Sequence, residues 1–302
     1  MDQENSRISF LMNVQNVVEY IIFIIFQKVI ALLGFSNTRF FGNLIAFIFY
    51  SLLKIRRNVV TKNLQLAFPD FSNRDIHNLA EKNYKSFGKL LAEIFCIPSL
   101  SKNELFEIVD NSNLAELNEQ NRFANGAILL TAHFGNWEIG AVSAGSQLDI
   151  PLTVLAKAQR NEFVSRWIDN MRQKHGNKVI HLGPSVREIY KAVKEKKIVG
   201  VVGDQRGPID GDKVKFFNRD TSVFSGTAEI ALKANVPIFA NFVVRMEENK
   251  FINYVEEIKY QNFTGSKEEK VHMINQTYMS ILEKYIRKFP EQWFWMHNIW
   301  KY

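Results

Sequence analysis

The chain contains 302 residues, of which 46% are hydrophobic and seven are proline, so an intrinsically disordered protein is excluded and one substantial core is possible. The formal net charge of +7 favours an acidic partner or surface, such as an anionic lipid or an acidic protein. A single cysteine excludes an intramolecular disulfide framework, which is compatible with a cytosolic site.

The N-terminal region, residues 1–53, differs in composition from the rest of the chain. It contains two runs rich in Ile, Leu and Phe, Val17–Leu33 and Phe40–Leu53. Polar residues interrupt the first run, and the second is shorter than the ~20 residues of an untilted span, so neither predicts a clean transmembrane helix. No small-residue cleavage site follows a basic leader, and we expect a retained, membrane-associated helical segment. The alternative is that these helices simply cover the folded domain that follows.

Basic residues follow the second apolar run directly. Cations beside an apolar, aromatic-rich stretch are typical of an interfacial anchor and favour a cytoplasmic orientation. Nucleic acid is the competing explanation for a basic chain, but the sequence contains no recognised nucleic-acid-binding motif. We therefore predict contact with a membrane and no nucleic-acid partner. The basic residues concerned are Lys54, Arg56, Arg57 and Lys62.

From residue 54 onward the pattern is that of a folded domain, which we predict to extend over residues 54–302. An amphipathic helix is predicted at 73–97, and strands and helices alternate after a polar stretch. This alternation predicts an α/β fold with a central mixed sheet flanked by helices. The predicted strands are 126–132, 152–156, a short strand from 179, 198–202, 237–244 and 251–258, and the predicted helices are 137–147, 162–174, 183–196, 226–235 and 267–288.

His133 and Glu138 lie five positions apart, just after the first predicted strand. On a continuous helix this spacing would turn the two side chains ~140° apart, so the helix must begin between them. Gly135 permits a sharp turn and Asn136 is a good N-cap, which puts Glu138 in the first helical turn. A carboxylate that accepts the proton of one imidazole nitrogen leaves the other nitrogen free to remove a proton from a hydroxyl. The pair therefore predicts a general base and its orienting carboxylate.

A second polar group, Asp204, Gln205 and Arg206, follows the predicted strand 198–202. In an open α/β sheet the carboxyl ends of the strands border the crevice where ligands bind, so we expect Asp204 to share a crevice with His133. We interpret the group as shaping a substrate pocket, whereas the alternative is a turn capped by Asp and Gly. For His133 the alternative is a buried imidazole satisfied by a backbone carbonyl.

The residues around the pair resemble a known family. His133 and Glu138 match the His-x4-Asp/Glu signature of the glycerolipid acyltransferase superfamily, and the surrounding HFGNWE is similar to its lauroyl/myristoyl lipid A acyltransferase branch. Further segments resemble this branch in the expected order, so that the resemblance covers nearly the whole chain. These segments are 56–59 with 63–69, 203–207, 216–217 with 226–231, and 289–297.

The resemblance implies transfer of a fatty acyl group from a carrier thioester, acyl carrier protein or acyl-CoA, to a hydroxyl of a lipid A precursor in the membrane. Lysophospholipids, glycolipids and aminolipids are other acceptors that the same chemistry allows. It also implies an enzyme of the inner membrane, with the catalytic domain on the cytoplasmic side and no cofactor. Two rivals remain open: a hydrolase or thioesterase that activates water with the same pair, and a non-catalytic lipid-binding protein.

The resemblance also suggests substrate-binding residues outside the pair. Lys157 and Arg172 resemble basic positions of the family and are predicted to contact a phosphate or the thioester oxyanion, with Arg160 as a further candidate. Lysine at position 157 replaces an expected arginine, which changes a bidentate contact into a point charge. The alternative for these residues is a solvated helix face. Backbone N–H groups near Asn136 are predicted to stabilise the oxyanion, which makes this turn part of the substrate site.

Other chemistries receive less support from the sequence. A metal site needs at least a third ligand, and the sequence contains no HExxH motif or cysteine cluster. A nucleophilic hydrolase is expected to carry a G-x-S-x-G elbow, which is absent from the sequence, and Cys96 lies in an apolar stretch typical of an inert core thiol. The aromatic segment 293–300 is compatible with an interfacial belt, a wall of an acyl pocket or core packing.

Overall fold

The computed structural model describes residues 2–147, 151–181 and 186–301. The strands in these ranges are β1 (Val109–Asp110), β2 (Ala127–Gly135), β3 (Leu152–Ala156), β4 (Lys178–His181), β5 (Ile198–Val202), β6 (Asp212–Phe216), β7 (Arg219–Val223), β8 (Ile238–Arg245) and β9 (Phe251–Glu257). The helices are α1 (Asp2–Leu33), α2 (Thr38–Phe47), α3 (Arg57–Ala67), α4 (Asn73–Cys96), α5 (Lys102–Ile108), α6 (Ser112–Glu119), α7 (Trp137–Gln147), α8 (Glu162–Gln173), α9 (Val186–Lys194), α10 (Gly226–Ala234) and α11 (Lys267–Lys288).

A seven-stranded mixed sheet forms the centre of the fold, in the order β1-β9-β8-β2-β5-β3-β4. The strands from β8 to β4 are parallel to one another, whereas β9 runs antiparallel to β8 and β1 runs parallel to β9. β2 is almost continuously buried, as is typical of a central parallel strand. The prediction of an α/β fold with a mixed sheet flanked by helices is confirmed.

The structure differs from the predicted elements at several points. β2 continues to Gly135, beyond its predicted end at 132, because irregular pairing with β8 extends the strand. The predicted helix start at 183–185 lies outside the described residues. The sequence-based prediction missed α3, α5, α6 and a separate antiparallel hairpin of β6 and β7. The hairpin turns at Phe217 and Asn218, whose φ angles of 50° and 58° match the left-handed pair that a tight hairpin turn requires.

Helix α1 packs against the rest of the chain, and from Asn13 onward most of its apolar surface is uncovered. Its segment Asn13–Leu33 has 21 residues and a mean hydropathy of 1.9, so by length and composition it is able to cross a membrane. This finding differs from the prediction that Val17–Leu33 forms no clean transmembrane helix, because the helical segment begins earlier than the apolar run. α1 contacts the domain through Gln27, whose amide donates to the Phe95 carbonyl at 3.1 Å, and through Glu19, which pairs with Arg160 at 2.7 Å.

Helix α2 crosses α4 at close range. A Cβ atom at Gly88 would clash with the Gly42 carbonyl oxygen, so the two glycines allow the backbones to approach. After a π-helical turn over Ile48–Leu52, the chain bends by 96° into α3. Membrane association and a domain boundary after residue 53 stay predictions. The large apolar side chains that α2 exposes are Phe40, Leu44 and Phe47, at 68%, 46% and 55%.

Candidate active site

The carboxyl end of β2 departs from regular strand geometry at the predicted site. Thr131 pairs with Asn241 of β8, but the next paired residue of β2, Gly135, faces Val243. The longer advance on β2 is a bulge, a feature that re-aims side chains beside active sites. Gly135 has a φ of 57°, and a Cβ atom there would clash with the Val243 carbonyl oxygen, so glycine is required. His133 lies within this bulge.

The imidazole of His133 is held by Asp204. β2 and β5 are parallel neighbours, with Thr131 opposite Val202, so the residues at their carboxyl ends meet at one edge of the sheet. Asp204 Oδ1 lies 2.8 Å from His133 Nδ1, and Asp204 Oδ2 accepts a hydrogen bond from the His133 backbone N–H at 2.9 Å. The Trp293 indole N–H donates to the same Oδ2 at 2.8 Å. The predicted convergence of Asp204 with His133 is confirmed.

These contacts set the protonation of the pair. Burial alone would lower the pKa of His133, but the charge and hydrogen bond of Asp204 and the charge of Glu138 raise it above its ordinary value. Burial would raise the pKa of Asp204, yet the charge of His133 and the hydrogen bonds from His133 and Trp293 lower it. Asp204 is therefore the ionised partner. In the neutral imidazole this contact places the proton on Nδ1 and leaves Nε2 with a lone pair.

Glu138 occupies the first turn of α7, as predicted, but its carboxylate contacts Arg172 instead of the imidazole. Arg172 Nε donates to Glu138 Oε2 at 2.8 Å and Arg172 Nη2 donates to Oε1 at 2.5 Å, and both side chains are largely buried. The Trp137 indole N–H also donates to Oε1, at 3.1 Å. The prediction that the Glu138 carboxylate hydrogen-bonds to the His133 imidazole is therefore wrong. Asp204 makes it instead, because the end of β5 brings a carboxylate directly to Nδ1.

A cavity of about 340 Å³ lies beside His133. Its polar lining includes Glu138 and Arg172, and the predicted residues Lys157 and Gln205, which are both exposed, line it as well. The rest of the lining is mostly apolar, which is typical of a pre-formed ligand site. This apolar lining comprises Leu129, Trp137, Gly140, Ala141, Ala144, Leu152, Val154, Leu155, Ala156, Gly200, Val202 and Val243.

Two predicted substrate contacts are engaged elsewhere. The Asn136 side chain is fully buried, because its Oδ1 caps α7 and its Nδ2 donates to Glu93 Oε2 at 2.9 Å. Asn136 therefore positions the helix, and its carboxamide is not offered to a substrate. Arg206 Nη1 donates to the Asn298 carbonyl at 2.7 Å, and its backbone N–H donates to His297 Nε2 at 3.0 Å. Arg206 thus fastens the C-terminal segment and does not line the cavity.

A buried ion pair that the sequence did not reveal supports the start of α7. Arg245 Nε and Nη2 donate to the two carboxylate oxygens of Glu93 at 2.7 and 2.6 Å. Because the same carboxylate accepts the Asn136 bond, α4, β8 and α7 are tied together next to His133. Glu93 and Arg245 are 152 positions apart, and no motif links them.

The aromatic segment near the C terminus forms part of the core. Trp293 and Trp295 are 1% and 0% exposed, which confirms core packing for these two residues. The Phe294 backbone N–H donates to the His133 carbonyl at 2.9 Å, so the segment also braces the bulge. Cys96 is buried, and burial raises the pKa of its thiol to about 11, as expected of an inert core cysteine.

Comparison with known proteins assigns the chain to one family. Residues 7–302 match the bacterial lipid A biosynthesis acyltransferases. The chain is 23% identical over 267 residues to the lipid A biosynthesis palmitoleoyltransferase of Escherichia coli (strain K12), covering 87% of this chain and 84% of that protein. It is 23% identical to the lauroyltransferase of the same organism, covering 82% and 80%. A phosphatidylinositol mannoside acyltransferase of Mycolicibacterium smegmatis is 22% identical over 54% of each chain. The protein thus belongs to the bacterial lipid A biosynthesis acyltransferase family and is an acyltransferase.

Proposed function

We propose that the chain transfers a fatty acyl group from a carrier thioester to a hydroxyl of a lipid A precursor or a related membrane lipid. The observation that carries the proposal is the His133–Asp204 pair beside the apolar cavity, which we call the acyl cavity. Burial of each methylene of an acyl chain in such a lining contributes about 0.8 kcal/mol. The names of the two Escherichia coli relatives support an acyl donor and a lipid A acceptor. We propose acyl carrier protein as the donor, with acyl-CoA as the alternative.

In the proposed reaction, His133 Nε2 removes the proton of the acceptor hydroxyl while Asp204 holds the Nδ1–H group. The hydroxyl oxygen forms a bond to the thioester carbonyl carbon, and a tetrahedral oxyanion results. When the carbon–sulfur bond breaks, the leaving thiolate takes the proton from the imidazolium, and His133 returns to its neutral form. The groups that raise the pKa of His133 stabilise the imidazolium formed in the first step.

Glu138 acts through its charge in this mechanism. Its carboxylate contributes to the raised pKa of His133, whereas the Arg172 charge opposes that effect. The bidentate pair also holds Arg172 at the acyl cavity. There its guanidinium, with the first backbone N–H groups of α7, would face the negative charge of the tetrahedral intermediate. We therefore assign the orienting role to Asp204 and a charge-balancing role to Glu138.

We further propose that the N-terminal helices hold the enzyme at the cytoplasmic face of the inner membrane. The apolar segment Asn13–Leu33 and the exposed Phe40 and Phe47 of α2 support membrane contact. The net charge of +7 favours an anionic lipid surface and an acidic carrier protein.

An assay of the purified protein in nanodiscs tests the proposal, with labelled acyl carrier protein or acyl-CoA offered against a panel of lipid acceptors. A labelled lipid that forms with the wild type and disappears with His133→Ala supports transfer. Free labelled fatty acid without an acylated lipid refutes it in favour of a hydrolase, which would use the same pair to activate water.

A further inference from the structure

A pocket of about 470 Å³ opens beside α2 and α4, apart from the acyl cavity, and we call it the basic pocket. Two carboxylates, those of Glu247 and Glu291, belong to its lining. They are outnumbered by the cations, so the lining carries a surplus of positive charge. The lining cations are Arg39, Lys82, Lys85, Lys89 and Arg245.

Part of this charge is not neutralised by a neighbour. Arg245 is paired with the buried Glu93 carboxylate at 2.6 Å, and Lys85 is paired with Glu81, also at 2.6 Å. The remaining lining cations make no hydrogen bond or ion pair with any residue in the described part of the chain. These cations are Arg39, Lys82 and Lys89.

Lys89 is the most constrained of the three. Its stem passes α2 at Gly42, where a Cβ atom would lie 2.6 Å from Lys89 Cγ, so the glycine makes room for it. Burial lowers the pKa of Lys89, and the charges of Arg245 and Arg39 lower it further, against the smaller effects of two carboxylates. A half-buried ammonium beside other cations is stabilised when an anion binds.

The basic pocket borders a narrow cleft of about 10 Å³ that has His133 in its lining. Ser86, Glu291 and Gln292 line both the pocket and the cleft. His133 and Trp137 line both the cleft and the acyl cavity. His133 therefore lies between the acyl cavity and the side of the fold on which the basic pocket opens.

The basic pocket also adjoins the uncovered apolar surface of α2. Arg39 lines the pocket, and the next residue, Phe40, is 68% exposed. A lipid whose chains lie in a membrane against this surface would bring its headgroup to the level of Arg39 and Lys89. This arrangement favours a membrane lipid over a soluble acidic partner.

We propose that the basic pocket binds a phosphate group of a membrane lipid through Lys89, Arg39 and Lys82. The phosphate belongs either to the lipid acceptor, whose hydroxyl is the one that His133 deprotonates, or to a neighbouring anionic phospholipid. The first case rests on the proposed transferase function, whereas phosphate binding itself does not.

Binding is measured first, in the His133→Ala background, so that turnover plays no part. The probes are fluorescent lysophosphatidic acid and the matched monoacylglycerol, which differ by the phosphate alone, in nanodiscs of neutral lipid. Adding Lys89→Gln should weaken binding of the phosphorylated probe about 10-fold, the effect of one charge-assisted hydrogen bond, and leave the other probe unchanged.

Lys62→Gln is the matched control, because it removes the same charge from a different basic surface shared with Lys54, Arg56 and Arg57. It should leave the affinity for the phosphorylated probe unchanged. Equal effects of Lys89→Gln and Lys62→Gln would overturn the proposal, since general attraction to the membrane would then explain both.

Transfer kinetics distinguish the two sources of phosphate. If the acceptor supplies it, Lys89→Gln raises KM for the phosphorylated acceptor, with kcat and the dephosphorylated acceptor unaffected. If a phospholipid supplies it, the variant abolishes activation by added phosphatidylglycerol with either acceptor. A raised KM for acyl carrier protein alone would overturn the proposal in favour of protein docking. If Lys89→Gln weakens binding of the phosphorylated probe but the wild type transfers no acyl group to any acceptor, the phosphate site is supported and the transferase function is refuted.

Discussion

Asp204→Asn should remove most turnover while leaving the fold and the KM values nearly unchanged. Asparagine has the shape of aspartate, and its amide oxygen can accept the hydrogen bonds that Oδ2 receives from the His133 backbone N–H and the Trp293 indole. Its NH2 group then faces His133 Nδ1 at the position of Oδ1. Nδ1 must then accept a hydrogen bond from this NH2 group, so the imidazole proton moves to Nε2. Nε2 can no longer remove a proton from the acceptor hydroxyl.

The size of the loss follows from this change of tautomer. The corresponding substitution in a serine protease lowers kcat by about 10⁴, or about 5 kcal/mol. The Glu138 charge still favours the imidazolium in the variant, so we expect a loss of about 10² to 10⁴ in kcat. Initial rates with a labelled acyl thioester measure it, with thermal unfolding as the control for folding. A kcat within about threefold of the wild type would refute the assigned role, because that is below 1 kcal/mol.

Three further predictions concern the rest of the site. Burial lowers the pKa of His133, but Asp204 and Glu138 raise it above the ordinary value of ~6.5. Because the base must be neutral, kcat should rise with pH through this raised pKa, and Asp204→Asn should move the rise in kcat to lower pH. A rise that stays at the same pH in the variant contradicts the role assigned to Asp204. Arg172→Ala leaves the Glu138 carboxylate buried and unpaired, so it should lower the free energy of unfolding, measured by urea titration, by about 3–5 kcal/mol. The control Arg166→Ala breaks an exposed ion pair and should change this free energy by at most about 0.5 kcal/mol. A Cβ atom at Gly200 would meet only the Leu152 side chain, 3.7 Å away, so Gly200→Met should be accommodated and should narrow the acyl cavity. When acyl donors of different chain length compete, the variant should prefer shorter chains than the wild type does. An unchanged preference would show that the acyl chain lies elsewhere.

The elements that could be predicted from the sequence are those with local signals. α11 begins at Lys267, as predicted, where Ser266 and Glu269 form a capping box. β5 is a continuous apolar run, and because the carboxyl ends of strands border one crevice, its end predicted that Asp204 lies near His133. The prediction that Asn136 caps α7 is confirmed, because capping depends on residues that are close in sequence.

The partners of the charged side chains could not be predicted, because they depend on contacts between distant segments. The bulge that positions His133 arises from the register of β2 against β8. Glu138 is near His133 in sequence, yet Arg172 lies closer to its carboxylate in the fold. Trp293 was noted as part of an aromatic segment, but nothing in that segment indicated a hydrogen bond to a carboxylate 89 positions away.

The rate of labelled acyl transfer to a lipid acceptor, measured side by side in nanodiscs for the wild type and for His133→Ala, tests whether His133 is the general base. Loss of the general base should lower this rate by about 10² to 10⁴, while the variant keeps its fold and its binding of the acyl donor. A His133→Ala protein that transfers acyl groups at the wild-type rate would show that His133 is not the general base.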